Sequence, residues 1–307
     1  MDKFEEFQAF VTVVDTGSFT AAAERLDAAK SAVSRRVSGL EARLGVQLLR
    51  RTTRVLNLTD AGRGFYEQGK RILADLEEAE AGVQQQHGEL RGTLRVALPL
   101  SFGVRHMSKP IAAFNKLHPQ IEFDLDLNDR RVDLINDNFD CALRIGNLED
   151  SSLIARRLFE SRSVVTASPH YLSVHGEPRT PEDLQAHRCL AYSNLADPNH
   201  WLYRDADGKQ RKVKVNSVLR ASSGDYLCNA AALGAGVVIQ PMFIASQAIR
   251  SGNLVPILTD YDWPASPAYV LYPPTRHLSF RVRAFIDFLV ERFQGEPEWE
   301  RDCKRQR

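Results

Sequence analysis

Basic side chains are concentrated near the start of the chain, among small residues. Between Lys30 and Leu58 the sequence contains seven basic residues and one acidic residue, Glu41, whereas the formal net charge of all 307 residues is only +1. A local surplus of positive charge attracts a polyanionic partner, and small side chains allow a helix to approach base edges closely. The pattern therefore predicts binding to double-stranded DNA.

The small and basic residues share one side of a predicted helix. Apolar residues recur at steps of four and three and form a stripe that faces a core, namely Val33, Val37, Leu40 and Leu44. The opposite side carries the candidate DNA contacts Lys30, Ser31, Ser34, Arg35 and Ser38. With the Ala-rich helix that begins after Ser18, this helix forms a helix-turn-helix at about residues 18–37, whose second helix enters the major groove. Lys30 and Arg35 are the candidates for contacts with bases.

The segment LLRRTTRVLNLT follows this helix and combines β-forming residues with arginines but no acidic residue. Such a pattern predicts a short two-stranded wing. Contacts with phosphates and with the minor groove are assigned to Arg51, Thr52, Thr53 and Arg54. The alternative is a solvated, amphipathic three-helix cap with no nucleic-acid partner.

A long helix is predicted to begin after Thr59. Its apolar seam follows steps of four and three residues through Phe65, Gly69, Ile72, Leu76, Ala79, Val83, Gln86 and Leu90. This heptad pattern favours a coiled-coil dimer. The alternative is a single helix that lies on its own domain. Three glycines, Gly62, Gly64 and Gly69, count against the coiled coil because glycine destabilises a helix interior.

Other motifs give no sign of catalysis or metal binding. Asp124, Asp126 and Asn128 have the spacing of a calcium loop, but Asp129 replaces its glycine and Ile135 its glutamate, so a strand with one buried face explains them. The eight histidines form no metal-binding pair, and the four cysteines lie far apart, with only Cys189 and Cys228 worth considering for a redox role. We expect no catalytic residue, no metal and no cofactor, although distance along the chain can hide a catalytic set.

After Gly92 short strands alternate with helices, which predicts an α/β fold with a parallel sheet. One helix begins at Ser101 and another at Ser223, in what we interpret as two lobes joined by crossing strands. Two helix N-termini that face one cleft would suit a small anion. Ordinary N-capping is the better explanation for each serine taken alone.

Several segments together resemble the LysR-type transcriptional regulators. The resemblance rests on AERLDAAKSAVSRRVSGLEARLGVQLLRRTTRVLNLTDAG and on the later segments DLINDNFDCALRIG, DSSLIARRL, ASPHYL and ALGAGVVIQP. It implies a winged helix-turn-helix, a dimerising linker helix and a two-lobed α/β effector domain resembling type 2 periplasmic binding proteins. It also implies a homotetramer that contacts RNA polymerase and a small-molecule effector, anionic or aromatic, in the cleft.

The resemblance assigns effector contacts to Ser101, Phe102, Asn128, Ile145, Thr166 and Ser223, with Arg144 and Asp225 as weaker additions. The chain departs from the family where the recognition helix begins. Ala29-Lys30 stands where the family often has Ser-Gln, so the usual cap is missing and a contact with adenine is replaced by a lysine suited to guanine.

The expected organisation has four parts: residues 1–59 bind DNA, 60–91 form the linker helix, 92–295 bind the effector, and 296–307 are a charged, frayed tail. Within the effector domain, lobe I comprises about 92–160 and 266–295, and lobe II about 161–265. No signal peptide or membrane span is visible, so a cytoplasmic location is expected. A solute-binding protein would explain the lobes but not the basic N-terminal region, and an enzyme would need a catalytic set that is not found.

Overall fold

The computed structural model describes residues 2–51, 56–84, 90–130, 132–148, 151–205, 207–274 and 278–304. The chain divides into two compact units, residues 1–93 and residues 94–307. We call them the N-terminal unit and the C-terminal unit and describe each by itself.

The N-terminal unit contains a helix-turn-helix and a short wing. Its elements are α1 (Lys3–Thr16), α2 (Phe19–Arg25), α3 (Lys30–Leu44), β1 (Leu49–Arg51), β2 (Leu56–Leu58) and α4 (Asp60–Gln84). Gly17 ends α1 in the left-handed conformation, which glycine adopts without a steric penalty, and the Ser18 hydroxyl then caps α2 by accepting from the amides of Thr20 and Ala21. The turn that Gly17 and Ser18 form therefore separates α1 from α2, the first helix of the predicted helix-turn-helix.

The apolar stripe of α3 is confirmed at three of its four positions. Val33, Val37 and Leu40 are fully buried in a core shared with α1 and α2. Leu44, the last residue of α3, is 39% exposed, so the prediction that it continues the stripe is wrong. The reason is that Gly45 turns the chain away at that point in a left-handed C-cap.

The first turns of α4 lie against their own domain. The ring of Phe65 packs edge-on to Phe7 at 5.5 Å and tilted to Phe10 at 5.6 Å between centroids. Further along the same seam, Ile72 is 53% exposed and Leu76 is 38% exposed. The structure thus shows the domain-bound arrangement for the first half of the helix and an exposed apolar edge beyond it, while Gln86 lies outside the described residues.

The C-terminal unit contains two five-stranded sheets with helices around them. The first sheet has the order β4-β3-β5-β14-β6, with β3 (Arg91–Leu98), β4 (Gln120–Leu127), β5 (Cys141–Ile145), β6 (Ile154–Ser161) and β14 (Ser266–Tyr272). The second has the order β11-β8-β12-β7-β13, with β7 (Ser163–Ala167), β8 (Arg188–Tyr192), β11 (Asn216–Ala221), β12 (Val237–Pro241) and β13 (Val255–Ile257). A hairpin of β9 (His200–Arg204) and β10 (Gln210–Lys214) flanks the second sheet.

The sheets are mixed rather than parallel, which corrects the prediction. Strands β3 and β5 are parallel, as are β8, β11 and β12, but β14 runs antiparallel to β5 and β6, and β7 runs antiparallel to β12. The chain crosses between sheets from β6 to β7 and from β13 to β14, and each crossing strand enters its new sheet in the reverse direction. The interpretation as two lobes joined by crossing strands is confirmed.

The helices of the C-terminal unit surround the two sheets, and one predicted helix is missing from the described residues. They are α5 (Leu100–Phe102), which continues through a π-helical turn (Gly103–Met107) into α6 (Ser108–Leu117), then α7 (Pro169–His175), a 3-10 turn (Pro181–Gln185), α8 (Gly224–Ala232), α9 (Met242–Arg250), α10 (Phe280–Arg292) and α11 (Glu298–Lys304). The alternation of strands and helices after Gly92 predicts a helix over RRVDLIND, residues 130–137, but its described residues, 130 and 132–137, form bends and turns. Asp133 explains this, because its carboxylate accepts from the amides of Ile135 and Asn136, a local bond that competes with helix formation.

Residues 298–304 of the tail form the helix α11, so the expectation of a frayed tail is wrong for this segment. Trp299 and Glu300 are 6% and 3% exposed. The Glu300 carboxylate accepts from Ser161 Oγ at 2.8 Å, Arg162 N at 3.1 Å and Arg162 Nε at 2.9 Å. Since Arg162 is the residue between β6 and β7, the terminal helix is bonded directly to a crossing between the lobes.

Candidate DNA-binding face and effector site

One face of α3 presents the residues predicted to contact DNA. Lys30, Ser31, Arg35 and Ser38 are exposed and Ser34 is partly buried. Three of these five residues are serines, whose short side chains project little from the helix beside the two cations. This combination allows the helix to approach the floor of a major groove.

Two other basic residues of α3 form ion pairs within the N-terminal unit. Arg36 forms an ion pair with Glu5 at 2.9 Å, and Arg43 forms one with Glu6 at 3.1 Å. Both acidic partners belong to α1, and Glu6 is buried. The surplus of positive charge at the predicted DNA surface is therefore smaller than the sequence count indicates.

The N-terminus of α3 has an extended residue at its cap and no capping side chain. Ala29 has φ −67° and ψ 140° and makes no side-chain hydrogen bond. A serine or threonine there would accept from the first amides of the helix. Instead, the Ala32 amide donates to the carbonyl of Ala29 at 2.8 Å, a backbone bond that satisfies one amide of the first turn without a capping side chain.

The wing is anchored to α3 by the acidic residue Glu41. Its Oε1 accepts from the amides of Leu48 at 2.8 Å and Leu49 at 3.0 Å. β1 then pairs with β2 in antiparallel register, Leu49 with Leu58 and Arg51 with Leu56. Of the wing residues predicted to contact DNA, Arg51 is described by its backbone alone, and Thr52, Thr53 and Arg54 lie outside the described residues.

In the first lobe, several predicted effector residues gather where strands end. Ser101 follows β3, its side chain is 4% exposed, and its hydroxyl has no hydrogen-bond partner among the described residues. Asn128 follows β4, and its backbone N–H donates to the backbone carbonyl of Leu98 at 3.0 Å. Ile145 ends β5, and the neighbouring Arg144 donates to the Arg130 carbonyl at 2.8 Å. In open α/β sheets ligands bind outside such strand ends.

Phe102 has a different environment. It is fully buried, and its ring stacks on Phe159 at 5.1 Å and meets Trp299 edge-on at 5.7 Å between centroids. The side chain belongs to an aromatic core under the strand ends. Its packing against several large rings explains its burial without a ligand.

In the second lobe, Ser223 and Asp225 stand at the start of α8. The Ser223 hydroxyl accepts from the Tyr226 amide at 3.3 Å, so it acts as an ordinary N-cap. Asp225 receives a hydrogen bond from Arg105 Nε at 2.5 Å. Arg105 belongs to the π-helical turn of the first lobe, so this ion pair joins the helical segment that follows β3 to the helix that follows β11 in the second lobe.

Thr166 is not brought to these strand ends. It pairs with Val238 of β12 and with Pro256 of β13, whereas Ser163 is the residue of β7 opposite Pro241, where β12 ends. Its side chain is fully buried, and its hydroxyl has no partner among the described residues. The structure thus places an unsatisfied polar group inside the second lobe, away from the other predicted contacts.

Comparisons with known proteins agree with both halves of the chain. Residues 4–63 match the model of the bacterial regulatory helix-turn-helix protein, lysR family, and residues 87–294 match that of the LysR substrate binding domain. The regulator CrgA of Neisseria meningitidis serogroup B is 40% identical over 291 residues, which cover 94% of this chain and 96% of CrgA. The chain belongs to the LysR-type transcriptional regulators.

Other relatives and solved structures extend the agreement. An HTH-type transcriptional repressor of Pseudomonas aeruginosa is 36% identical over 299 residues, 97% of this chain and 94% of the relative. The full-length structure of AphB, a virulence activator of Vibrio cholerae, is 29% identical with a TM-score of 0.60 and covers 95% of this chain and 99% of AphB. The structure of CrgA is 38% identical with a TM-score of 0.61 and covers 95% of this chain and 99% of that chain.

Family membership fixes the general activity. LysR-type regulators bind DNA and small-molecule effectors, form oligomers and are not enzymes, and this chain is a DNA-binding transcriptional regulator with an effector-binding domain. No helix in the described part of the chain has the length and apolar character needed to span a bilayer.

Three residues that join the lobes of this LysR-type chain are not indicated by any local pattern in its sequence. Asp129 accepts from the Leu100 amide at 3.0 Å and also lies beside Tyr192 at the end of β8. Burial and then the Asp129 charge raise the pKa of Tyr192 to about 12, so its hydroxyl stays protonated as a donor. The third is Arg105, whose partner Asp225 lies 120 positions away along the chain.

His106 follows Arg105 and also reaches the second lobe. Its Nε2 donates to the Phe243 carbonyl at 2.9 Å, and its ring lies 4.3 Å from that of Trp299 between centroids. Burial lowers the pKa of His106, with the Phe243 hydrogen bond opposing that shift. The imidazole is therefore a neutral packing group near pH 7.

The three cysteines whose side chains the structure describes lie in environments that disfavour the reactive thiolate. Cys141, Cys189 and Cys228 are buried and free, and burial raises the pKa of all three thiols, to about 12 for Cys189 and Cys228. Within the part of the chain that the structure describes, no three His, Cys, Asp or Glu side chains are arranged to hold a metal ion.

Proposed function

We propose that this LysR-type regulator reads its operator through Lys30 and Arg35 and senses a small anionic or aromatic metabolite between the lobes of its C-terminal unit. The observation that carries the DNA assignment is the exposed face of α3, on which these two cations stand among Ser31, Ser34 and Ser38. Arg51, Thr52, Thr53 and Arg54 of the wing are proposed to contact phosphates and the minor groove.

The DNA assignment is tested by comparing operator DNA with random duplex. Lys30→Ala should cost about 1–3 kcal/mol on an operator selected from genomic fragments and leave binding to random duplex nearly unchanged, because a base contact carries sequence information. Arg51→Ala should weaken both and lower the salt slope by about one, because a phosphate contact releases counterions. Lys3→Ala, on the exposed start of α1, is the matched control. Equal losses on both DNAs for Lys30→Ala would exclude its role as a base reader.

The effector assignment rests on the unsatisfied Ser101 hydroxyl beside the Leu100 amide. Asp129 holds that amide in the structure, so an entering carboxylate would replace one anionic oxygen by another at the same donor. Asn128, Ile145, Arg144, Ser223 and Asp225 are proposed to complete the site at the strand ends, with Phe102 beneath it. Thr166 is left out of the proposed site because it lies inside the second lobe, away from the strand ends.

Three probe molecules distinguish recognition of a negative charge from recognition of an aromatic ring. Benzoate has both a carboxylate and an aromatic ring, cyclohexanecarboxylate has a carboxylate on a saturated ring, and benzamide has an aromatic ring without a charge. Their effect on the thermal unfolding of the full chain should follow the group that the site recognises, and Ser101→Ala should reduce the effect of any probe that binds. Ser108→Ala, an exposed serine of α6, is the control. If no probe raises the unfolding temperature, the anionic or aromatic assignment fails while the DNA assignment stands.

The proposed assembly is a homotetramer in the cytoplasm whose dimers form through α4. Tetramers are typical of LysR-type structures, and the exposed Ile72 and Leu76 lie one helical turn apart on the predicted seam. Leu76→Asp should lower the mass measured by analytical ultracentrifugation, whereas Glu67→Ala, on the same helix, should not. We also propose contact with RNA polymerase, for which in vitro transcription with the purified regulator is the direct test.

A further inference from the structure

The β9–β10 hairpin of the second lobe has one apolar face and one basic face. In its antiparallel register Trp201 pairs with Val213, and both are buried in the core of the lobe together with Tyr203. The alternate positions point the other way, because successive side chains of a strand face opposite sides. On this outer face Arg204 is paired with Gln210, Leu202 with Lys212, and His200 with Lys214.

The outer face therefore carries three permanent cations, Arg204, Lys212 and Lys214, all of them exposed. Among the described residues none of the three forms an ion pair within 4 Å. Asp262 lies opposite Arg204 in an isolated antiparallel bridge, so its carboxylate offsets part of the charge of Arg204 and leaves Lys212 and Lys214 as the main cations of the face. Two other acids near the hairpin have partners of their own. Asp205 pairs with Arg211 at 3.0 Å and accepts from the Lys209 amide at 2.9 Å. Asp197 pairs with His200 at 2.9 Å, and the pKa of Asp197 is lowered mainly by that hydrogen bond and less by Lys212.

We propose that this outer face, defined by Arg204, Gln210, Lys212 and Lys214, is a second DNA contact that holds the phosphate backbone without reading sequence. The inference goes beyond the recognition helix and rests on the DNA binding of the N-terminal unit. Because both units belong to one chain, a contact of the hairpin with the bound duplex would be intramolecular, and a few cations would then make a measurable contribution.

The composition of the face favours DNA over an acidic protein. The centre of a protein interface is rich in aromatic residues and poor in lysine, and binding energy concentrates in buried aromatic anchors. The aromatic residues of this hairpin, Trp201 and Tyr203, are turned inward and buried. Leu202, 42% exposed, is the large apolar side chain on the outer face. The other side chains of the outer face are cations and an amide, which are the groups that bind phosphate oxygens.

The test compares salt dependence for two double variants of the full chain. The probes are a selected operator fragment of minimal length and the same fragment extended by random flanks. Lys212→Ala/Lys214→Ala should lower the slope of log affinity against log salt on the extended DNA by about 1.8, at about 0.9 per phosphate contact. Between about 50 and 200 mM salt the wild type then loses about tenfold more affinity than the variant. Lys109→Ala/Lys116→Ala removes two exposed lysines of α6 and should keep the wild-type slope.

Each other outcome overturns the proposal in a distinct way. Equal slopes for wild type and both variants mean that the hairpin does not touch DNA. Unchanged DNA binding with loss of transcriptional output for the hairpin variant alone means that the face binds an acidic protein instead. Failure of the wild type to bind any DNA removes the proposed function itself, and Lys30→Ala, which should alter only operator binding, separates the two contacts.

Discussion

Arg105 and Asp225 form an ion pair at 2.5 Å that joins the π-helical turn of the first lobe to the start of α8 in the second. Arg105 also donates to Gln247 Oε1 of α9 at 2.8 Å. The side chains of the pair are 23% and 28% exposed, so solvent screens them incompletely. Because each partner belongs to a different lobe, the strength of this pair affects how firmly the lobes are held together.

A double-mutant cycle should detect this coupling. Arg105→Gln and Asp225→Asn, alone and together, should give a coupling free energy of about 1–2 kcal/mol, since a partly buried, charged hydrogen bond is stronger than a surface pair. Urea unfolding followed by tryptophan fluorescence is suitable, because Trp201, Trp263 and Trp299 all belong to the C-terminal unit.

The control for that cycle is the Arg156–Asp287 pair of the first lobe. Its side chains are 40% and 54% exposed, and it lies between β6 and α10 within one lobe. A cycle on this pair should give less than about 0.5 kcal/mol. Equal coupling energies for the two pairs would show that the contact between lobes has no special strength.

Glu300→Gln should destabilise the C-terminal unit by about 1–3 kcal/mol, because the neutral amide of the variant no longer forms the charged hydrogen bond with Arg162, whose side chain is 35% exposed. Glu298→Gln, an exposed position in the same helix, should change stability by less than about 0.5 kcal/mol. Thermal unfolding by tryptophan fluorescence measures both. Similar stabilities for the two variants would mean that α11 does not contribute to the fold through Glu300.

Local periodicity predicted the recognition helix correctly. The burial of Val33, Val37 and Leu40 follows from spacing within one helix, and so does the exposure of Lys30 and Arg35. Arg36 and Arg43 were counted toward the DNA surface because their acidic partners belong to another helix. Spacing within α3 contains no information about α1.

The candidate effector site was predictable only in part, for the same reason. Ser101 and Asn128 follow strands and could be placed at strand ends from the order of elements. The contact of Arg105 with Asp225 and that of Arg162 with Glu300 join residues 120 and 138 positions apart. A single sequence does not report such pairs, and the charged composition of the tail concealed the buried carboxylate of Glu300.

Acidification should weaken the C-terminal unit partly through His106. Its pKa lies below the ordinary value of 6.5, owing first to burial and then, against the Phe243 hydrogen bond, to the charge of Arg105. Below that value the unfolded chain binds a proton more readily than the folded chain, so stability is complete above pH 6.5 and falls as the pH decreases. His106→Gln can keep a donor to Phe243 without titrating, and should lose less stability than the wild type between about pH 7.5 and 5.5.

His170→Gln is the control for the pH experiment, because His170 is exposed on α7. It should show the wild-type pH dependence in urea unfolding at the two pH values. His187, whose pKa is also lowered by burial, remains in all three proteins and sets the pH dependence that His106→Gln leaves behind. Identical pH dependence of His106→Gln and wild type would assign the whole effect to other groups.

Two glycines of α4 should respond in opposite directions to the same substitution. A Cβ at Gly62 would lie 2.0 Å from the Leu48 carbonyl oxygen, whereas a Cβ at Gly64 would meet nothing within 4 Å. Both variants gain the helix propensity of alanine, about 1 kcal/mol. Gly64→Ala should therefore stabilise the N-terminal unit by about that amount, and Gly62→Ala should destabilise it by about 2 kcal/mol because backbone must move. Hydrogen exchange at the amides of α3, measured by mass spectrometry, reports the stability of the N-terminal unit. Tryptophan fluorescence would not report it, because the three tryptophans belong to the C-terminal unit. Equal protection in the two variants would show that the close approach of α4 to Leu48 does not restrict residue 62.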